Sequence, residues 1–291
     1  MRRITLFLAT LIPFLLSAQV KQSELSSIGE MILKGRLDSI RVEANERFTV
    51  LLEDHLTESG YWEAPLDSVS NISVLEESGV FRLLTWLVPR RGGAFDYHGF
   101  LVLEGKKGPR LIPLLDATLE IEEPEFAWLK TDRWYGAIYY DFVITRANGE
   151  KVYTLLGYRP HLSRPQEKVI DVLDLSSGPD KVRFGSKIFE TPVVMDQKYR
   201  SRPYRLILRY SPRFSASVQW NEKEDMIIMD HLSPPDASMQ RQWMLYGPDF
   251  SYDGLYWDDE KWHLKRELVI KSDLRTPAPA DSVPQGLPQR R

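Results

Sequence analysis

In the stretch YGPDFSYDGLYWDDE, Tyr246–Glu260, five residues have types and spacing suited to a hard cation. Asp249, Ser251, Asp253, Gly254 and Glu260 hold the first, third, fifth, sixth and twelfth places of one window. A calcium-binding EF-hand loop sets its oxygen ligands at such spacings and needs a glycine at the sixth place for the turn. The flanks argue against that loop. An EF-hand has a helix on each side, and Gly247-Pro248 directly before Asp249 breaks the incoming one. Counting across Asp258-Asp259-Glu260-Lys261 sets Trp257 opposite Trp262 and Leu255 opposite Leu264, which is a hairpin register. Glu260 then lies at the hairpin tip, about 10 Å or more from the Asp249–Asp253 bend at ~3.3 Å per residue. Two readings of the bend remain: a smaller calcium site on Asp249, Ser251 and Asp253, or an Asx-type turn in which these side chains bond their own backbone.

The same stretch is rich in tyrosine. Exposed aromatic faces beside carboxylates bind sugars by stacking and also mark protein interfaces. Most aromatic residues of a β protein belong in its sheets' cores. Tyr252 and Tyr256, on the strand face opposite Leu255 and Trp257, are the ones expected at the surface. Asp230-His231 ends an apolar strand at Met226–Met229. Adjacent strand residues point to opposite faces, so these two make no dyad by themselves. Asp230 with Asp249 or Asp253 would supply the carboxylate pair that glycoside hydrolysis uses. The candidate ligand-binding set is therefore Asp230, Tyr246, Asp249, Tyr252, Asp253 and Tyr256, with no catalytic residue assigned.

Other chemistries are excluded more firmly. The chain has no cysteine, which removes disulfides, thiol catalysis, thiolate zinc sites and iron–sulfur clusters. Gly-x-Ser-x-Gly, His-Glu-x-x-His and phosphate-loop motifs are absent, and the five histidines are not spaced as metal ligands. No resident metal or cofactor is assigned. The formal net charge is −3, and loss of Arg2 and Arg3 on processing makes the rest more acidic, which argues against a nucleic-acid binder. Arg200, Arg202, Arg205, Arg209 and Arg213 form a basic series. Arg205 and Arg209 alternate with Leu206 and Leu208 and read as a solvated strand face.

The elements that must position these residues divide the chain into four. Residues 1–18 have the layout of a secretory signal peptide: Arg2-Arg3, an apolar run from Ile4 to Leu16, then Ser17-Ala18. The run is shorter than the ~20 residues that span a bilayer, and no later run supplies a transmembrane helix. Residues 19–60 read as a helical segment packing on the main domain. Asp38 is its expected cap, Val42, Phe48, Leu52 and Leu56 its apolar stripe, and Ser59-Gly60 its end.

Residues 61–275 read as an all-β domain of about a dozen strands, because alternation with period two is punctuated by short turns. Asn148-Gly149 marks a two-residue type I′ hairpin that sets Ile144 opposite Tyr153 and Phe142 opposite Leu155. A second hairpin around Asn221–Glu224 pairs Val218 with Ile227 and Ala216 with Met229. A third turns at Gly105–Gly108. Sequential hairpins imply an antiparallel meander, a sandwich or open barrel, with a small propeller as the alternative. Residues 276–291, with four prolines and little apolar content, read as a disordered tail. Such a tail is no folded secretion module, which favours the periplasm.

Four segments carry a resemblance: Trp134–Tyr140, Tyr153–Gly157, Asp230–Pro234 and Tyr246–Gly254. Together they resemble a family of exported proteins of Gram-negative bacteria that has no assigned activity. The resemblance covers the β-rich part and implies export; it implies no catalytic residues. The sequence as a whole points to a periplasmic or envelope-associated β protein, a non-catalytic module that binds a ligand or protein, such as an envelope protein or glycan. A carbohydrate-active hydrolase using paired carboxylates and a calcium-stabilised β protein are the alternatives.

Overall fold

The computed structural model describes residues 5–190, 193–194, 197–198 and 201–268, with side chains over 19–190 and 201–268. The expected Pro-rich tail at 276–291 lies outside the described residues. The expected signal peptide enters only as backbone at the start of the first helix.

Two helices open the chain, α1 (Thr5–Lys34) and α2 (Asp38–Ser59). The expected single helical segment is thus a helical hairpin, broken at residues 35–37. Asp38 is not the cap: Leu37 holds that place, in an extended conformation. The Asp38 carboxylate instead accepts from the Arg91 backbone N–H at 3.1 Å and pairs with Arg41. Gly60 ends α2 with φ +87°, a conformation that glycine adopts without strain.

Sixteen strands follow among the described residues. They are β1 (Ser73–Glu77), β2 (Phe81–Pro89), β3 (Phe95–Gly105), β4 (Gly108–Leu115), β5 (Ile138–Ala147), β6 (Glu150–Arg159), β7 (Gln166–Asp174) and β8 (Arg183–Phe184), then β9 (Phe189–Glu190), β10 (Val193–Val194), β11 (Gln197–Lys198), β12 (Leu206–Tyr210), β13 (Val218–Asn221), β14 (Met226–Ser233), β15 (Gly247–Asp258) and β16 (Lys261–Lys265). Sheet I has the order β1-β2-β3-β4, sheet II β12-β7-β6-β5 with β8 beside β7, and sheet III β13-β14-β15-β16-β9. Pairing is antiparallel except where β16 meets β9. The result is neither a closed barrel nor a propeller. It is a stack of helices, sheet I, sheet II and sheet III, with three apolar clusters between the layers.

Side-chain parity builds the stack. On β2, Leu84, Trp86 and Val88 pack with Leu25, Ile28, Phe48 and Leu52 of the helices. Phe81, Leu83 and Leu87 point the other way, onto Tyr153, Leu155 and Val169 of sheet II. The opposite face of sheet II puts Leu156, Ile170, Leu206 and Leu208 against Ile227, Leu255 and Trp262 of sheet III. Sheets I and II are covered on both faces, so their strands read as long apolar runs such as FRLLTWLV.

Asn148 and Gly149 both have positive φ, 49° and 81°, and the register Ile144↔Tyr153 and Phe142↔Leu155 is as the type I′ turn predicts. A bulge at Tyr140 shifts the rest of β5. Tyr139 therefore shares the face of Phe142 instead of opposing it. The hairpin after β13 is offset by two residues from expectation: Val218 pairs with Met229, and Trp220 with Ile227. Asn221 belongs to the ladder, opposite Met226, and its Oδ1 accepts from the N–H groups of Lys223 and Glu224, which moves the loop onward. A shift of two keeps every side chain on its face.

Candidate functional site

The bend singled out from sequence sits where β15 bulges away from β14. Pairing runs Asp230↔Tyr252 and resumes at Leu232↔Pro248, leaving Asp249–Ser251 looped out, with Phe250 at φ +72°. Trp257↔Trp262 and Leu255↔Leu264 hold as predicted, and the Trp257 and Trp262 ring centroids lie 5.2 Å apart. Glu260 is at the turn, where its Oε1 accepts from the Asn148 N–H at 2.6 Å. It takes no part in the bend. Asp249 Oδ1 accepts from the N–H and hydroxyl of Ser251 at 3.1 and 2.7 Å, and its Oδ2 from the Ser233 hydroxyl at 3.1 Å. These are the Asx-turn bonds. Among the described residues, no group of three or more histidines or acids could hold a metal ion.

The bend also contains an unforeseen partner, His231. Its Nδ1 lies 2.9 Å from Asp253 Oδ2, and its Nε2 3.8 Å from Asp249 Oδ2. The Asp253 bond, opposed by partial burial, holds the imidazole above its ordinary value. At Asp249 burial works against the charge, but the Ser251 and Ser233 bonds outweigh it and keep the carboxyl below its ordinary value. Asp253 Oδ1 also accepts from the Glu267 N–H at 3.3 Å. Asp230 goes elsewhere: its Oδ2 accepts from the Ser217 N–H at 2.7 Å, and burial holds its carboxyl above the ordinary value against the pull of Ser217 and Lys168. The three aspartates therefore do not form one carboxylate pair around an open site.

The tyrosines divide as well. Tyr246 is fully buried in the sheet II–sheet III core, and its hydroxyl accepts from the Arg241 N–H at 3.1 Å. It is a core residue, which corrects its expected place in a contact surface. Tyr252 and Tyr256 are half-exposed, and Tyr256 stacks on His263 at 5.4 Å.

A second feature lies on the face of sheet II turned away from sheet III. A cleft of about 820 Å³ opens between sheets I and II, walled by β3, the end of β4 with the loop after it, the end of β6 and the start of β7. Its floor is built from strand parity. Leu155, Gly157 and Arg159 alternate on β6, Glu167, Val169 and Asp171 on β7, and Ile207 and Arg209 on β12. Cross-strand pairing places Glu167 between Arg159 and Arg209. Glu167 Oε2 accepts from Arg159 Nε at 2.9 Å and from the Tyr135 hydroxyl at 2.7 Å. Its Oε1 accepts from Arg209 Nε at 3.0 Å, and Arg209 Nη1 reaches Glu125 Oε1 at 2.5 Å.

The Arg159 guanidinium is layered between two rings, 4.6 Å from the Tyr97 centroid and 4.0 Å from that of Tyr135. Burial opposes its charge, but Tyr135, Tyr97 and Glu167 outweigh that and hold it above its ordinary value. Burial also keeps both phenols protonated. Arg159 Nη1 donates to the Thr118 hydroxyl at 3.2 Å, and Thr118 is fixed by Asp116. Asp116 Oδ1 also accepts from the Gly136 N–H at 3.2 Å. A Cβ at Gly136 would stand 2.4 Å from that of Tyr97 and 2.8 Å from Asp116 Cγ, so only glycine lets this corner close. At the rim, His161 Nδ1 accepts from the N–H groups of Ser163 and Arg164 at 3.1 and 2.9 Å. Burial, then Arg164 and Arg159, push its imidazole below the ordinary value.

None of these cleft residues belongs to the candidate set read from sequence, and Arg209 corrects an expectation outright. The face of β12 opposite Leu206 and Leu208 is not solvated. Arg205 is fully buried, with its Nε 3.1 Å from Asp171 Oδ2, an ion pair that lacks hydrogen-bond alignment. Its Nη groups donate to the carbonyls of Ala127 and Phe184 at 2.8 and 2.9 Å. The legible signal was opposite charge on paired strands: acids on β7 at the parity of Val169, and bases on β6 and β12 at the parity that meets them.

Comparison of the chain with family models, with curated proteins and with solved structures finds no match.

Proposed function

We propose that this is an exported, non-catalytic binding module of the bacterial envelope, and that the cleft between sheets I and II is where it takes its ligand. One observation carries the reading. The cleft has the volume of a small-molecule site, ~300–1,000 Å³, and its polar floor is held rigid by Glu167, Tyr135 and Thr118. The same bonds argue for binding over turnover. The Thr118 hydroxyl is engaged by Asp116 and Arg159, and His161 Nδ1 by two backbone N–H groups, so neither is poised as nucleophile or base.

Export rests on the first eighteen residues and on the family resemblance. Among the described residues no helix is long and apolar enough to cross a membrane. Two measurements test the proposal. Expression in a Gram-negative host, fractionation and N-terminal sequencing should find the chain in the periplasm beginning at Gln19; retention in the cytoplasm with Met1 intact refutes export. Isolated protein should show saturable shifts of cleft resonances, such as the Trp243 indole, with members of a saccharide, amphiphile and peptide panel. A panel that moves none of them refutes the cleft as a binding site.

A further inference from the structure

On the other face of sheet II, one amine lacks the partners an amine ordinarily takes. Lys168 follows Glu167 on β7 and so points away from the cleft, toward sheet III, beside Tyr158 on β6 and Leu208 on β12. Its Nζ stands between two aromatic faces, 4.8 Å from the Tyr140 centroid and 4.7 Å from that of Tyr158. Among the described residues no carboxylate pairs with it and no hydrogen bond reaches it; Asp230 acts on it only through its charge. The polar groups around it are committed elsewhere. The Tyr140 hydroxyl donates to the Val218 carbonyl at 2.7 Å, that of Tyr158 donates to Gln166 Oε1, and that of Tyr210 accepts from the Ala216 N–H. Asp230 Oδ2 takes the Ser217 N–H.

Ring faces hold a cation less firmly than a carboxylate does, and burial favours the neutral amine. Burial, opposed by Asp230, brings Lys168 from its ordinary value down to about 8. The fraction with a free lone pair at neutral pH then rises by roughly two orders of magnitude. The side chain is half-buried and its nitrogen is not sealed from solvent, so a small molecule can reach it. A desolvated lysine is the nucleophile that forms imines with carbonyl compounds. A protonated imine here would carry its charge where the ammonium carried it, between the same two rings and within the field of Asp230. A negatively charged aldehyde would meet that carboxylate instead.

We infer that Lys168 is a covalent capture site for small uncharged aldehydes, held as an imine between Tyr140 and Tyr158. The amine lone pair forms a bond to the carbonyl carbon. The carbon–oxygen bond then breaks, and the oxygen leaves as water with both amine hydrogens. One proton from solvent converts the imine to the iminium, and no oxidant or reductant is consumed. The site faces away from the cleft, so the inference stands apart from the cleft's own ligand.

The experiment treats the full mature chain with propanal and cyanoborohydride, which reduces an iminium to a stable secondary amine, and locates the adducts by peptide mass spectrometry. At pH 7 Lys168 should be alkylated at least about tenfold faster than the exposed Lys107 and Lys223, its lower basicity and partial burial reducing the gain in free amine. Its rate should level off above about pH 8 while theirs go on rising. Concentrated urea should erase the lead, because the fold creates it. Lys168→Met keeps an unbranched chain between the rings and should lose the fast first adduct while retaining native circular dichroism. Glyoxylate, an aldehyde bearing a carboxylate, should show a much smaller lead than propanal. Labelling of Lys168 no faster than that of exposed lysines, a lead that survives urea, or a fast adduct that persists in Lys168→Met overturns the capture site. An equal lead with glyoxylate overturns the preference for uncharged aldehydes. Should Lys168→Met fail to fold, the folded and urea-unfolded rates of the parent decide the matter alone.

Discussion

At the bend, one histidine sits between two aspartates at the edge of the molecule. In the cleft, one glutamate sits between two arginines inside it. The bend is a local device. Asp249 is satisfied by Ser251 and Ser233, and Asp253 by His231 and Glu267, all close to where β14 and β15 part. The cleft joins three strands of sheet II to segments far away in sequence: Glu125, Tyr135 and Thr118. Asp253 and Glu167 are both largely buried, but Asp253 holds one imidazole whereas Glu167 holds two guanidiniums, so removing Glu167 strands more charge. The two regions should therefore differ most when these acids are removed. Glu167→Gln should cost about 3 kcal/mol of unfolding free energy, since it leaves two largely buried guanidiniums without their shared carboxylate. Asp253→Asn should cost about 1 kcal/mol. Urea unfolding of both variants measures the contrast, and equal losses would mean that the cleft network is far wetter than its geometry indicates.

A second way to sharpen the difference leaves the charges in place. Gly136→Ala forces a methyl group into the space between Tyr97 and Asp116. Overpacking of this kind costs about 1–3 kcal/mol, and here it also displaces the carboxylate that fixes Thr118. Cleft affinity should fall along with stability, while the His231 resonances stay where they are. Movement at His231 would show that the two regions are mechanically joined.

The fold was legible because its signals are local. Asn148-Gly149 determined a turn, the Trp257–Trp262 register followed from counting, and alternation exposed the hairpins. What alternation could not reveal is how many faces of a sheet are covered. Leu206, Leu208 and Tyr210 marked one buried face of β12, and Arg205 and Arg209 were read as wet because a strand in a two-layer protein has one dry side. The third layer makes both sides dry, and charges on the second side pair across strands far apart in sequence. The helical hairpin adds the fourth layer, which likewise explains why β2 is apolar throughout. At the bend the residue types were legible and their partners were not. His231 is the diagonal neighbour of Asp253 across the pairing Met229↔Asp253, a contact legible only once the β14–β15 register is known. Tyr246 reads like its neighbours Tyr252 and Tyr256, and only the tertiary fold buries it.

Acid should pull the regions in opposite directions. His231 is held above its ordinary value, so its contribution is fully present below the unfolded imidazole value and fades as pH rises through the raised one. His161 and His98, the latter on β3 in the cleft wall, are held below theirs, chiefly by burial. Their contributions are present above the unfolded value and fade as pH falls through it toward the lowered ones. Proton NMR titration of the ring resonances should find His231 titrating later than a free histidine on the way up in pH, and His161 earlier. Asp253→Asn should bring His231 back toward the ordinary value and leave His161 untouched. A common midpoint for all three rings would remove the electrostatic distinction between bend and cleft.

The smallest effect concerns Glu260, the residue that would have completed a twelve-place calcium loop. In the folded chain it sits at the tip of the β15–β16 hairpin, where Asp259 and Glu260 take φ values of 44° and 58°, and its carboxylate accepts from the Asn148 N–H of the neighbouring hairpin. Removing an exposed contact of this kind changes stability by no more than about 0.5 kcal/mol. Glu260→Ala should therefore unfold nearly as the parent does, with and without millimolar calcium. A calcium-dependent gain in the parent that the variant loses would place Glu260 in an ion's shell. That would require the bend and the hairpin tip to meet, against the continuous ladder from Gly254 to Asp258 that separates them.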